Sequence, residues 1–179
     1  MVNLIDAHTA ERAVWWLGET KGFWVQTGAL FISALGAVLI VRSRSQSERR
    51  RATVDLVLHQ INNQELLLAK KEFFKIIDSP EKNCSRFLNQ KDTPQYGAIV
   101  KLLNTYEFVA GGIREKAYDE KLYKRMQCSA VIRAWDSLSG FVEEFRNSMP
   151  QQPSPKTFYQ DFEWLAKKWK KDRLAPSDD

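Results

Sequence analysis

The sequence predicts an all-α protein, with a single N-terminal transmembrane helix followed by a cytoplasmic helical bundle. Three observations predict it. Residues 22–41 run for twenty positions without a charge. Five arginines follow within the next ten residues, Arg42, Arg44, Arg49, Arg50 and Arg51. Beyond them, apolar residues recur at helical spacing and no strand-like alternation of any length is present.

At about 1.5 Å per residue, the charge-free run GFWVQTGALFISALGAVLIV reaches about 30 Å, the thickness of a bilayer's hydrocarbon core. A helix buried in a soluble core usually keeps a polar face, whereas this run holds only Gln26, Thr27 and Ser33 as polar residues. A cleaved signal peptide has a shorter apolar core that ends at a small-residue site. Here the run leads straight into arginines, so a signal anchor fits better.

Charge is informative only once it is divided along the chain. The 179 residues carry a net +5, of which residues 42–51 alone supply +4. The rest of the chain beyond the collar is close to neutral, so the basic balance is not a nucleic-acid surface spread over the fold. The arginines instead form a juxtamembrane collar suited to lipid headgroups. Positive residues flanking a span favour the cytoplasmic side. The expected topology is therefore an N-terminus outside the membrane and a C-terminal domain in the cytoplasm. Cys84 and Cys128 are then expected as reduced thiols, Cys84 in a polar connection and Cys128 in a helix.

Six regions follow. Residues 1–21 form a short external or interfacial segment, with Thr9 capping a helical turn of Ala10, Ala13, Val14 and Leu17. Trp15, Trp16 and Trp24 fall where an aromatic belt belongs. In the span, 22–41, Gly22, Gln26, Ala29, Ser33 and Gly36 recur at spacings of 4, 3, 4 and 3. Small and hydrogen-bonding residues let membrane helices approach, which makes this stripe a candidate oligomer face and a homo-oligomer the expected assembly. The collar, 42–51, continues the helix into a domain at 52–149, where Ala52, Val54, Leu56, Val57, Leu58 and Ile61 offer an apolar face. Asn62 and Asn63 mark a pause before a helix from Gln64 to Ile77 with Leu67, Phe73, Phe74 and Ile77 apolar. Ser79-Pro80 ends it, and Phe87 and Leu88 fold a turn of the following loop onto the core. Thr93-Pro94 opens a helix whose buried face is Ile99, Leu102, Leu103, Tyr106, Val109, Ala110 and Ile113, with close approach of another helix expected at Gly111-Gly112. Asp119 and Glu120 open a long helix with the stripe Cys128, Val131, Ala134, Trp135, Leu138, Phe141, Val142 and Phe145. A proline-rich linker, 150–157, leads to a C-terminal amphipathic helix, 158–174, with Phe158, Phe162, Leu165 and Trp169 on one side and its lysines directed to lipid.

The stretch LNTYEFVAGGIREKAYDE at 103–120, followed by a helix carrying Trp135, resembles a family of small bacterial and prophage-encoded proteins known only as a domain of unknown function. RRRAT at 49–53 and DFEWLAKKW at 161–169 resemble it too. The resemblance implies an N-terminal span and a helical cytoplasmic part. It implies no activity, cofactor or catalytic residue.

Within that stretch Asn104, Glu107, Gly111 and Arg114 form a polar line beside the apolar face, and Arg133 with Asp136 adds a charged pair on the next helix. Asn104, Glu107, Arg114, Arg133 and Asp136 are the candidate interhelical site. Two readings stay open, a binding site and a network that fixes helix register. There is no phosphate-binding glycine loop and no paired-histidine metal motif, and neither His8 nor His59 has a triad-like context, so no cofactor and no enzymatic function are expected. The C-terminal WLAKKWKKDR mixes aromatics with lysines as single-stranded nucleic acid would require, but the same composition suits an anionic membrane, and nucleic acid is not the expected partner. The expected function is a single-span, membrane-anchored module that binds the bilayer, a second copy of itself and a cytoplasmic protein. The alternative is a prophage- or defence-associated effector that oligomerises and perturbs the host membrane.

Overall fold

A computed structural model describes residues 14–15, 19–81, 83–149 and 155–174. Five α-helices make up nearly all of the described regular structure: α1 (Lys21–Asn62), α2 (Gln64–Ile77), α3 (Pro94–Arg114), α4 (Glu120–Asn147) and α5 (Gln160–Lys171). Short 3-10 turns lie at Ser85–Phe87 and Pro155–Thr157. The chain divides into two compact units, Met1–Ser47 and Glu48–Asp179, and each is described by itself.

In the first unit a two-stranded antiparallel pairing precedes the helix, β1 (Val14–Trp15) against β2 (Glu19–Thr20). This corrects the helical turn expected there, at least at Val14. A β-branched residue beside an aromatic favours extended backbone. The expected cap at Thr9, with residues 1–13 and 16–18, falls outside the described residues. From Gly22, α1 is long and apolar enough to cross a membrane. Its mean hydropathy is 1.9 over an 18-residue window, and none of that window is buried.

In the second unit each helix begins where a side chain satisfies its first free amides. Asn63 accepts from the Leu66 N–H at 2.9 Å and so starts α2 where the two asparagines mark a pause. Thr93 Oγ1 accepts from the Tyr96 N–H at 3.3 Å, with Pro94 in the first turn of α3. Asp119 Oδ1 accepts from the Leu122 N–H at 2.9 Å at the start of α4. Such caps each contribute about 1 kcal/mol.

Helix α3 is central: α2, α4 and α5 all pack on it, and α4 and α5 pack on each other. The core is built from the expected faces of α3 and α4, with Ile99, Leu103, Val131 and Leu138 fully buried. Phe162, Leu165 and Trp169 of α5 close it, together with Ala166. Phe158 lies before α5, which begins only at Gln160.

Two faces differ from expectation. On α2 the buried set is Leu66, Ala69, Phe73 and Ile76, while Leu67 and Phe74 face outward. Leu66-Leu67-Leu68, Phe73-Phe74 and Ile76-Ile77 offer adjacent apolar choices, and only packing against α3 selects one of each. In the domain part of α1, Thr53, Val57 and Gln60 are buried, and Val54, Leu58 and Ile61 are 41–53% exposed. The polar pair is buried because α4 supplies partners. The Asp119 N–H donates to Thr53 Oγ1 at 2.8 Å, and the Tyr123 hydroxyl donates to Gln60 at 3.4 Å. Cys84 is likewise buried, not in a polar setting, and burial pushes its thiol up to about 11.

Candidate functional site

The positions of the small-residue stripe are on the outside of α1. Gly22, Gln26, Ala29 and Ser33 are exposed and Gly36 is partly so. A side chain added at Gly36 would meet nothing within 4 Å. In the collar, Arg42, Arg44 and Arg51 are exposed. Arg50 is exposed as well, but it and Arg49 make contacts within the second unit. The Arg49 carbonyl accepts the Thr53 hydroxyl at 2.7 Å, and Arg50 Nε donates to Asp119 at 3.2 Å. Asp119 is thereby held below the usual carboxylate range, first by the Leu122 N–H it accepts and then by Arg50.

The five residues of the candidate interhelical site, Asn104, Glu107, Arg114, Arg133 and Asp136, are not brought together at one place. Glu107 and Arg114 converge on the start of α5. The Glu107 carboxylate accepts the backbone N–H groups of Phe162 at 2.8 Å and Asp161 at 3.3 Å. Tyr159, which precedes α5, has left-handed backbone and offers no side-chain cap, so Glu107 caps this helix from across the core. Burial raises the Glu107 carboxyl above its ordinary value against the pull of those two amides. Arg114 donates to Asp161 at 2.5 Å and lies over the Trp164 ring at 5.5 Å. Arg146 completes the clamp, donating to the Phe158 carbonyl at 2.6 and 3.0 Å and to Glu163 at 2.8 Å.

Asp136 pairs with Lys170 at 2.8 Å rather than with Arg133, and Arg133 is exposed between two cavities. Asn104 lies elsewhere again, in a groove of about 770 Å³ between α1, α2 and α3. Leu56, Leu66 and Val100 line its apolar floor, with His59, Asn104 and the exposed Phe108 around them. An apolar cleft with a few polar groups is the usual form of a binding site. Asp161, Arg146 and Thr53 carry the clamps and were not singled out by sequence. Their partners on other elements are 12 to 66 residues away, and no local spacing signals such a contact.

Of the C-terminal lysines, Lys167 pairs with Glu163 of its own helix, Lys168 with Glu120 at 2.7 Å and Lys170 with Asp136, and all three remain exposed. Among the described residues no group of three or more His, Cys, Asp or Glu side chains could hold a metal ion.

Among the described residues the fold defines a class: a helical domain preceded in sequence by a helix that carries one candidate membrane span. The chain belongs to the family described as a domain of unknown function, DUF4760, whose model matches residues 23–169. Neither the curated proteins nor the solved structures compared with the chain returned a match.

Proposed function

We propose that the chain is a single-span, membrane-anchored interaction module. The span places the N-terminus outside and the domain in the cytoplasm of a bacterial cell. The domain takes a protein partner in the groove that holds Asn104 and Phe108, and the span self-associates through Gly22, Gln26, Ala29, Ser33 and Gly36. The observation that supports this reading most is the wholly unburied apolar window of α1, followed at once by the arginine collar. Unburied apolar surface of that extent is unfavourable in water by about 25 cal/mol per Å² and needs a cover.

Two measurements test it. A reporter active only outside the membrane, fused after Asp179, stays dark, and a cytoplasmic reporter at the same place is active; the opposite pattern reverses the topology. Mild-detergent capture of the full-length protein recovers a partner that Asn104→Arg loses. Recovery unchanged by that variant removes the groove from the proposal.

The exposed small-residue stripe also supports a second reading, a prophage- or defence-associated effector whose spans oligomerise and perturb the membrane. Controlled overexpression with a membrane-potential dye separates the two. Depolarisation relieved by Ser33→Leu with Gly36→Leu supports the effector, and a steady potential supports the module.

A further inference from the structure

A second and more enclosed cavity, of about 300 Å³, lies between α2, α3 and α4. Phe73, Leu102, Tyr106 and Ala134 supply apolar walls, Lys70 and Arg133 border it, and no Asp or Glu lines it. Its size is at the lower end of small-ligand sites, about 300–1,000 Å³.

Among the described residues neither Lys70 nor Arg133 makes an ion pair or a side-chain hydrogen bond, although ten such pairs are formed elsewhere. The acids nearest to them in sequence on the same helices are engaged with other lysines, Glu72 with Lys75 and Asp136 with Lys170. Lys70 is only partly exposed, and its loss of water lowers its affinity for a proton with nothing opposing the shift. A cation stripped of water without a counter-charge is unfavourable, and an anion at this point would relieve it. A shallower depression beside the cavity shares Lys70 and Phe74 and adds Lys71, so positive charge continues outside the mouth.

We propose that this cavity binds an anionic amphiphile, a carboxylate or phosphate head on an apolar chain, with the head between Lys70 and Arg133 and the chain against Phe73, Leu102 and Tyr106. The site is separate from the Asn104 groove and does not depend on the interaction-module reading. Both a free fatty acid and an anionic bilayer lipid have this chemistry.

The test uses the full-length protein in phosphatidylcholine nanodiscs with a photoactivatable dodecanoic acid and, in parallel, its methyl ester. The acid labels the peptides around 70–74 and 130–134 at least about tenfold more than the ester, a difference of about 1.4 kcal/mol. K70Q combined with R133Q lowers labelling by a similar factor. A130F, which adds bulk at the rim and keeps both charges, blocks it. R133Q alone, at an exposed position, serves if the double variant melts early. Equal labelling by the ester, or labelling unchanged by R133Q and A130F, overturns the proposal. In a second arm, nanodiscs hold photoactivatable phosphatidylglycerol and no free acid. Labelling of the same peptides there assigns the ligand to the bilayer, labelling by the free acid alone assigns it to a soluble source, and labelling by neither overturns the site.

Discussion

Thr53 and Glu107 each satisfy backbone amides of a helix that begins far away in the chain. The Thr53 hydroxyl donates to the Arg49 carbonyl and accepts the Asp119 N–H. Thr53→Val keeps the shape and leaves that amide unpaired, so it is expected to destabilise the domain by about 1–3 kcal/mol, with Thr53→Ser close to wild type. Chemical denaturation of the detergent-solubilised protein measures both. Glu107→Ala removes the acceptor for Asp161 and Phe162 and is expected to destabilise by a similar amount, about 1–3 kcal/mol. The loss should be concentrated in α5, so hydrogen exchange at residues 160–171 should rise before that of α3. A uniform rise would show that Glu107 does not cap α5. Neither role was legible beforehand. Glu107 was visible as a polar residue on an apolar helix, but the amides it serves belong to a segment 54 residues on.

At the scale of elements, the junction between α3 and α4 stores the most specific constraint. A Cβ on Gly112 would lie 2.3 Å from the Tyr118 ring, so the close approach expected at Gly111-Gly112 is made largely by the chain's own next turn. At Gly111 the neighbour is Asp161 of α5, at 3.3 Å. Gly112→Ala is therefore expected to destabilise by about 1–3 kcal/mol through overpacking, and Gly111→Ala by less. Lys116 follows with φ of 59°, a left-handed conformation that costs a residue with a Cβ about 1–2 kcal/mol. Lys116→Gly should accordingly raise the melting temperature, and a fall would show that the lysine side chain contributes more than its backbone strain. Helix existence and starts were well marked in sequence, because caps such as Asn63, Thr93 and Asp119 act within three residues. The buried faces of α2 and of the domain part of α1 were not, because runs of adjacent apolar residues leave the choice to the neighbouring helix.

For the domain as a whole, the ion pairs predict its response to acid. Glu120 and Glu163 are each raised by burial and lowered by more through their partners, Lys168 and Trp169 for Glu120, Lys167 and Arg146 for Glu163. Asp119 is held below its ordinary value too, as are the exposed Glu65 and Asp172 beside Lys101 and Lys124. Their stabilising contribution is complete above those values and is lost as pH falls through the lowered ones. Glu107 has the opposite sign: its raised carboxyl favours the fold below its ordinary value, and that contribution is lost as pH rises through the raised one. The expected net result is a melting temperature that drops steeply below about pH 4. Asp119→Asn should make the acid limb shallower and Glu107→Gln should steepen it; parallel curves for all three proteins would show that these groups do not set the acid limit.

The sequence by itself determined the all-helical class, the candidate span with its arginine collar, and the starts of α2, α3 and α4. Each depends on residues close together in the chain: an uninterrupted apolar run, a cluster of like charges, a side chain that reaches its own helix's first amides. Only the tertiary structure decided that Glu107 caps α5, that Arg50 and Thr53 hold α4, that the C-terminal lysines face acids, and that Lys70 and Arg133 border an apolar cavity without a counter-charge. Those outcomes turn on which distant helix supplies or withholds a partner, and hydrophobic spacing carries no information about partners.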